Sequence, residues 1–506
     1  MAGLGRCLRV YLPCGAQMPG MAYLIRRLLE NTSNDGFLKQ AFGDRAGHDA
    51  LLADPAVARP RSAPLPARHY QNTDPEEEMS SFSNATNTNF ALAENREKLA
   101  GALRYVRGEF GREYPLVINH APVVTGRWHD SVNPADPREV VGRVAMASAA
   151  EADAAVAAAM KAFDGWRHTP AAERADTLRR AASRLEMRRF ELAATMILEC
   201  GKPWREADAD VTEAIDHLRY YADQIERIDA RPRRRDLPGE SNLMIYSAKG
   251  VCAVISPWSF PTAIPVGMAG AALAAGNTVV FKPARQAAVA AAKVMEIFQD
   301  AGFPAGVINF LPGEGGVVGR QLVEHGDVRL VAFTGSQEVG FPVLQSGATV
   351  RRGQSYIKKM IVEMGGKNAI IVDDDADLDG AVSAVAESAF MHAGQKCSSC
   401  SRVIVLAGVH DEFVARLVAA TAAIPVGPAE TPATWIGPVI DEAARDRIND
   451  CAHTGRSEGR LAFEGQLPAA CAHGWYCPPR IFTHVARNAR MAREEIFGPL
   501  LCVLRA

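Results

Sequence analysis

Between Val251 and Val372 the chain sets out short β-branched runs at regular intervals: Val251 to Ile255, Thr278 to Phe281, Val307 to Leu311, Leu330 to Phe333 and Ala369 to Val372. Helical patterns separate most of them, at about 20 to 30 residues per unit, the spacing of crossovers that return each strand parallel to the last. This periodicity predicts an α/β fold built on a parallel sheet. No internal repeat accompanies it.

By its pattern this is a Rossmann-like dinucleotide domain, although the strict Gly-x-Gly-x-x-Gly fingerprint is missing. Gly313-Glu314-Gly315-Gly316-Val317-Val318-Gly319 only approximates it. A second loop, Gly335-Ser336-Gln337-Glu338-Val339-Gly340, follows a strand and opens a helix. There, free backbone N–H groups and the helix dipole favour an anion such as pyrophosphate. The alternative is a strand-to-helix turn whose glycines serve conformation alone.

A formal net charge of −2 offers no electrostatic attraction for nucleic acid or an anionic membrane. At 48% hydrophobic and 23% charged, 506 residues suit a globular protein of two or three domains. Ten scattered cysteines, with no signal-peptide pattern, point to free thiols and a cytoplasmic location. The longest apolar stretch, Ala263 to Phe281, is broken by Pro265, glycines and Asn277, so it reads as a buried helix and then a strand rather than a membrane span. No metal site is expected. The acidic run from Asp373 to Gly380 lacks the closing glutamate of a calcium loop, since Ala386 stands there, and reads as an acidic helix start. Cys397 and Cys400 have no second ligand pair at zinc-finger spacing.

Upstream, residues 1–42 read as a short strand, a turn and an amphipathic helix, and residues 43–85 as a linker rich in Ala, Pro, Asp, Ser and Asn. Ala91 to Phe110 is expected to be a helix and Pro115 to Ile118 a strand. Ser148-Ala149-Ala150-Glu151 is a capping box opening a helix through Phe163. Thr169-Pro170 starts the next helix with proline at its first position. A polar-faced helix around Asp210 to Ile225 carries Glu213.

Two motifs carry the chemistry. Glu363-Met364-Gly365-Gly366-Lys367-Asn368 puts a carboxylate beside two glycines, where the backbone can turn sharply and approach another segment. Phe390 to Arg402, Phe-Met-His-Ala-Gly-Gln-Lys-Cys-Ser-Ser-Cys-Ser-Arg, puts Cys397 ahead of a β-rich run. A nucleophilic thiol needs access and a stabilised thiolate, and a nearby carboxylate can activate water to release the product. In this order the pair resembles the aldehyde dehydrogenase superfamily and, within it, the glutamate-γ-semialdehyde (1-pyrroline-5-carboxylate) dehydrogenases. The resemblance runs from roughly Thr86 to the last residue.

The resemblance implies an NAD-binding domain at 86–362 and an α/β catalytic domain at 363–506. It implies oxidation of L-glutamate γ-semialdehyde to L-glutamate, the second step of proline catabolism, with Cys397 as nucleophile and Glu363 as base. Pro257, Trp258, Lys282, Gly335, Ser336, Gly340, Glu495 and Phe497 would hold the cofactor. Ser398, Phe260 and, more remotely, Glu213 would meet the substrate. The first segment resembles the end of a proline dehydrogenase barrel, in which Tyr11, Tyr23, Arg26, Arg27 and Glu30 would be proline- or flavin-site residues. FAD would belong only to the missing remainder of that barrel. The expectation is therefore an internal piece of a larger bifunctional homo-oligomer, cut at both ends. It would stop inside a catalytic-domain strand, Leu500 onward, and the absence of the segments that follow in relatives would leave a sheet edge unpaired. Other readings are a different semialdehyde dehydrogenase and an inactive nucleotide-binding fragment.

Two positions depart from the family pattern. Arg285 replaces a glutamate that bonds the adenine ribose in many NAD-preferring relatives, which opens the site to NADP. Ser259 stands where an asparagine usually donates to the oxyanion, and the loss of such a donor costs about 10²–10³ in rate. Ser259→Asn in an otherwise complete enzyme should therefore raise kcat; an unchanged or lower kcat would mean that serine already serves there.

Overall fold

A computed structural model describes residues 82–230, 233–234, 243–352, 354 and 356–506. Tyr11, Tyr23, Arg26, Arg27 and Glu30 lie outside the described residues, as does nearly all of the expected linker. The linker's last residues are already pinned: the Asn84 side chain and the Ala85 N–H each donate to Asp216 at 2.7 Å.

A helix, Ala93–Gly108, leads into β1 (Glu113–Tyr114), β2 (Leu116–Ile118), β3 (Ala121–Val123), β4 (Trp128–Asn133) and β5 (Asp136–Ala145). Ser148 and Glu151 then close the expected capping box, and their helix runs beyond Phe163 to His168. Pro170 caps the following helix, Ala171–Met187, one position earlier than the pattern suggested. Helices Arg189–Cys200 and Trp204–Ala230 and a small hairpin, β6 (Arg233–Arg234) with β7 (Leu243–Met244), complete this part.

The parallel units follow as β8 (Val251–Ile255), β9 (Thr278–Lys282), β10 (Ile308–Phe310), β11 (Val328–Gly335) and β12 (Lys359–Met364). They stand in the order β12-β11-β8-β9-β10, extended by antiparallel β2 and β3. Every residue of β8 and β9 is buried, as a parallel sheet covered on both faces requires. From β8 the chain steps outward to β9 and β10, then returns to β11 on the other side of β8. That reversal opens a crevice beyond the carboxyl ends of β8 and β11, the usual ligand position in open α/β sheets.

Ala369 to Val372 is not a further strand of this sheet. It belongs to β13 (Asn368–Val372), which starts a second sheet with β14 (Cys400–Val405), β15 (Arg460–Glu464), β16 (Arg480–Thr483) and β17 (Leu500–Arg505). The division expected between residues 362 and 363 falls inside β12, where Glu363 pairs with Thr334 of β11. The chain changes sheets at Gly365-Gly366-Lys367. β17 is not an edge either: it lies between β14 and β16 and is parallel to both. The acidic run does open a helix, Leu378–Phe390, whose cap Asp377 accepts the N–H of Asp379.

One helix is capped from a distance. Ala288–Asp300 has Ala287 at its cap position and no cap of its own. Glu199, buried on Arg189–Cys200, accepts the N–H groups of Val289 and Ala290 at 2.8 Å each and the Ser131 hydroxyl at 2.6 Å. This contact holds the start of the helix that follows Lys282 and Arg285. Burial outweighs these donors and raises the Glu199 carboxyl to about 7. Between the ordinary carboxylate value and that point the folded chain keeps a proton that the unfolded chain has lost. Stability therefore falls as pH rises through the window and levels off above it, by roughly 3 kcal/mol in total. Glu199→Gln should flatten that slope in denaturant titrations from pH 5 to 8; the same slope in both proteins would contradict the assignment.

Candidate functional site

The crevice is a cleft of about 520 Å³ between the two sheets. Pro257, Trp258 and Ser259 line it from beyond β8, and Thr334, Gly335, Ser336 and Gln337 from the end of β11. Met364 to Lys367, Cys397 and the segment Arg493 to Phe497 close it from the catalytic side. Ser336 caps the helix Gln337–Ala348 through its carbonyl, which accepts the Val339 and Gly340 N–H groups, so its hydroxyl and the N–H groups of Gln337 and Glu338 remain available to a ligand. The Trp258 and Phe497 rings meet edge to face at 5.4 Å, a firm aromatic corner.

Three consecutive residues, His392, Ala393 and Gly394, adopt left-handed backbone angles just before the nucleophile. Only the last is a glycine, and it has to be: a Cβ at Gly394 would lie 2.5 Å from the Gly498 carbonyl oxygen. Such a run survives only where the surroundings over-determine it. Gln395 supplies part of that restraint, accepting the Ile440 N–H at 2.9 Å. Asn368 supplies more, since its amide donates to the carbonyls of Cys397 at 2.7 Å and Ser399 at 3.1 Å. The two motifs read from the sequence are thus physically joined.

Cys397 is half-buried and faces the cleft, Ser398 beside it is exposed, and Cys400 is a buried free thiol. The expectation of a stabilised thiolate is not met. Burial first, then the charges of Glu363 and Glu495, push the Cys397 thiol above its ordinary value, while the N–H groups of Cys397 and Ser398 pull the other way. Glu363 is exposed at the end of β12, near enough to be felt at the sulfur. Glu495 sits over the sheet crossover, accepting the Gly366 N–H at 3.3 Å, and burial raises its carboxyl too. A Cβ on Gly365 would come within 1.9 Å of that carboxylate, so any other residue there would displace Glu495 from this position.

The remaining expected residues lie around this centre rather than in it. Lys282 is buried at the end of β9, with Nζ on the Pro283 carbonyl at 2.9 Å and its chain running toward Gly319. Gly340 lies in the first turn of Gln337–Ala348, where a Cβ would strike Met364. Phe260 is partly buried in the segment after β8, with the Lys202 ammonium 3.8 Å from its ring centre. Glu213, half-exposed on Trp204–Ala230, has His217 Nε2 3.9 Å away and does not line the cleft. Sequence reasoning missed Asn368, Gly365's role as a seat for Glu495, and Lys202, whose ammonium lies fully buried behind Ser259. A lone lysine in the apolar stretch before Trp204 was the available signal for the last.

The charge on Glu363 carries a consequence for the thiol. Glu363→Gln should lower the pH midpoint of Cys397 alkylation by iodoacetamide, followed on the Cys397 peptide by mass spectrometry. A midpoint that stays put or rises would remove the carboxylate from the sulfur's surroundings.

Residues 124–506 match the aldehyde dehydrogenase family, and residues 1–40 match proline dehydrogenase. The chain is 44% identical over 419 residues to a 1-pyrroline-5-carboxylate dehydrogenase of Geobacillus kaustophilus, covering 83% of this chain and 81% of that one. It is similar to the 1-pyrroline-5-carboxylate dehydrogenase from Thermus with bound NAD, at TM-score 0.82 and 44% identity over 84% of this chain and 82% of that one. It is also similar to proline utilization A from Bdellovibrio bacteriovorus inactivated by N-propargylglycine, at TM-score 0.83 and 44% identity. All of this chain is covered there, and it spans about half (51%) of that longer protein. With its cysteine loop, carboxylates and cleft in place, the chain belongs to the aldehyde dehydrogenase family.

Proposed function

We propose that this chain oxidises L-glutamate γ-semialdehyde, in equilibrium with 1-pyrroline-5-carboxylate, to L-glutamate. The observation that carries the reading is the half-buried Cys397 sulfur opening into a dinucleotide-sized cleft at the strand reversal, with Glu363 beside it. The residues present fit a dinucleotide: Ser336 and the helix start would take the pyrophosphate, Glu495 the nicotinamide ribose, and Pro257, Trp258 and Phe497 the ring end. Lys282 would meet the adenine-side ribose. When bound, NAD supplies the hydride acceptor.

Cys397 Sγ gives up its proton and bonds the aldehyde carbon, converting the carbonyl to an oxyanion. The Cys397 N–H and the Ser259 hydroxyl, whose residues line the same cleft, would be the donors to that oxygen. After loss of hydride the carbon is a thioester on Cys397. Glu363 takes a proton from water, whose oxygen bonds the acyl carbon as the C–S bond breaks, so the thiol is regenerated and glutamate leaves. Raised thiol acidity constants do not prevent this, because a carboxylate near the sulfur can accept its proton. Ser398 and Phe260, next in the chain to Cys397 and Ser259 of the cleft, would meet the substrate's carboxylate and stem.

Arg285 pairs with Glu314 at 3.4 Å, so a carboxylate already competes for its charge. This favours NAD over NADP. The match of residues 1–40 to proline dehydrogenase, and the likeness to proline utilization A, support a place beside proline dehydrogenase in one bifunctional polypeptide. Eight free cysteines among the described residues suit a reducing cytoplasm.

The test is NADH formation from 1-pyrroline-5-carboxylate, compared with short unsubstituted aldehydes and with NADP. The carboxylated substrate and NAD should give the highest kcat/KM, and Cys397→Ser should lower it by roughly three orders of magnitude or more. Faster turnover of another aldehyde, or retained activity in Cys397→Ser, would overturn the proposal.

A further inference from the structure

Lys202 is the most deeply buried charge near the cleft, and every contact it makes leads to one segment. Its side chain and that of Asp210 are fully buried, with Nζ 2.9 Å from Asp210 Oδ2. Nζ also donates to the Ser259 carbonyl at 2.7 Å and lies 3.8 Å over the centre of the Phe260 ring. The other Asp210 oxygen accepts the Ala263 N–H at 2.6 Å. One ion pair therefore ties down both ends of Ser259–Ala263, the loop that presents the expected oxyanion donor and the residue under the substrate's stem.

A buried ion pair is a poor way to gain stability, because apolar residues of the same volume avoid its desolvation cost. It does fix position, since a charge with no water to turn to holds its partners within narrow limits. Neither residue lines the cleft: Lys202 lies in the short connection between the helices Arg189–Cys200 and Trp204–Ala230, and Asp210 lies on the second of them. Ser259 makes this restraint more important than it would be for a longer side chain: a short hydroxyl reaches a developing oxyanion only if its backbone stands in one place.

We infer that Lys202, paired with Asp210, is a positioning residue that sets the Ser259–Phe260 loop for oxyanion and substrate contact. The inference rests on the aldehyde-oxidation reading above. Displacement of a reacting group by an ångström costs about 10²-fold in rate. A structural role alone would instead show as lost stability.

The test compares this chain with Lys202→Met/Asp210→Leu, which removes both charges at similar volume, and with Lys202→Gln. The double variant should keep its Tm and bind NAD with Kd within about twofold, because the helix Gln337–Ala348 and Glu495 are untouched. Its kcat should fall roughly 10²-fold with little change in KM. Hydrogen exchange in the peptide spanning residues 256–263 should speed up by about tenfold or more. The exchange measurement needs no turnover, so a chain that oxidises no aldehyde would defeat the proposed function and leave this comparison decisive. Unchanged kcat and unchanged exchange in a stable double variant would overturn the inference. Failure of both variants to fold would assign the pair to stability and overturn it equally.

Discussion

Glu495 stands over the Gly365–Gly366 peptide in the space that a side chain on Gly365 would take. The carboxylate takes the Gly366 N–H, and the space a methyl would need on Gly365 is the space the carboxylate fills. This is the point at which the chain leaves one sheet for the other. It carries Glu363 at its near end and Asn368 at its far end, and Asn368 grips the cysteine loop. The relative placement of Glu363, Glu495 and Cys397 thus depends on a crossover a few residues long. A looser connection would let the two sheets drift and would separate groups that act on one carbon.

Around that crossover, buried charge holds the loops that would otherwise move. Glu199 caps a helix that has no local cap, and Lys202 with Asp210 anchors the loop after β8. Both arrangements keep ionisable groups out of water, which costs stability and fixes position. The strained run His392-Ala393-Gly394 follows the same logic on the cysteine side. Conformations unfavourable in isolation are retained where the direction of a reactive side chain is at stake.

Local features were legible in advance. The Ser148–Glu151 capping box is written within four residues, and β8, β9 and β11 are compact β-branched runs, so each could be read where it lies. The nucleophile and base stood out because their motifs are contiguous. What could not be read was contact between distant segments. Lys202 meets Ser259 across 57 positions, and Glu199 meets Val289 across 90. The division at Glu363 failed for a related reason: a chemical motif starts there, but the strand's hydrogen bonds continue through Met364 to β11. The assignment of Ala369–Val372 to the first sheet failed because strand pattern gives no partner. The raised Cys397 thiol likewise depends on burial by the folded chain and then on the charges of Glu363 and Glu495, all supplied from outside its own motif.

The central claim is that Cys397 carries the acyl group. Single-turnover reaction of the Glu363→Gln protein with 1-pyrroline-5-carboxylate and NAD, quenched in acid and mapped by mass spectrometry, reads it directly, because loss of the water-activating carboxylate should let the thioester accumulate. The account predicts a glutamyl adduct on the peptide containing Cys397 and on that sulfur. NADH formed with no adduct there, or an adduct carried by Cys400 instead, would contradict it.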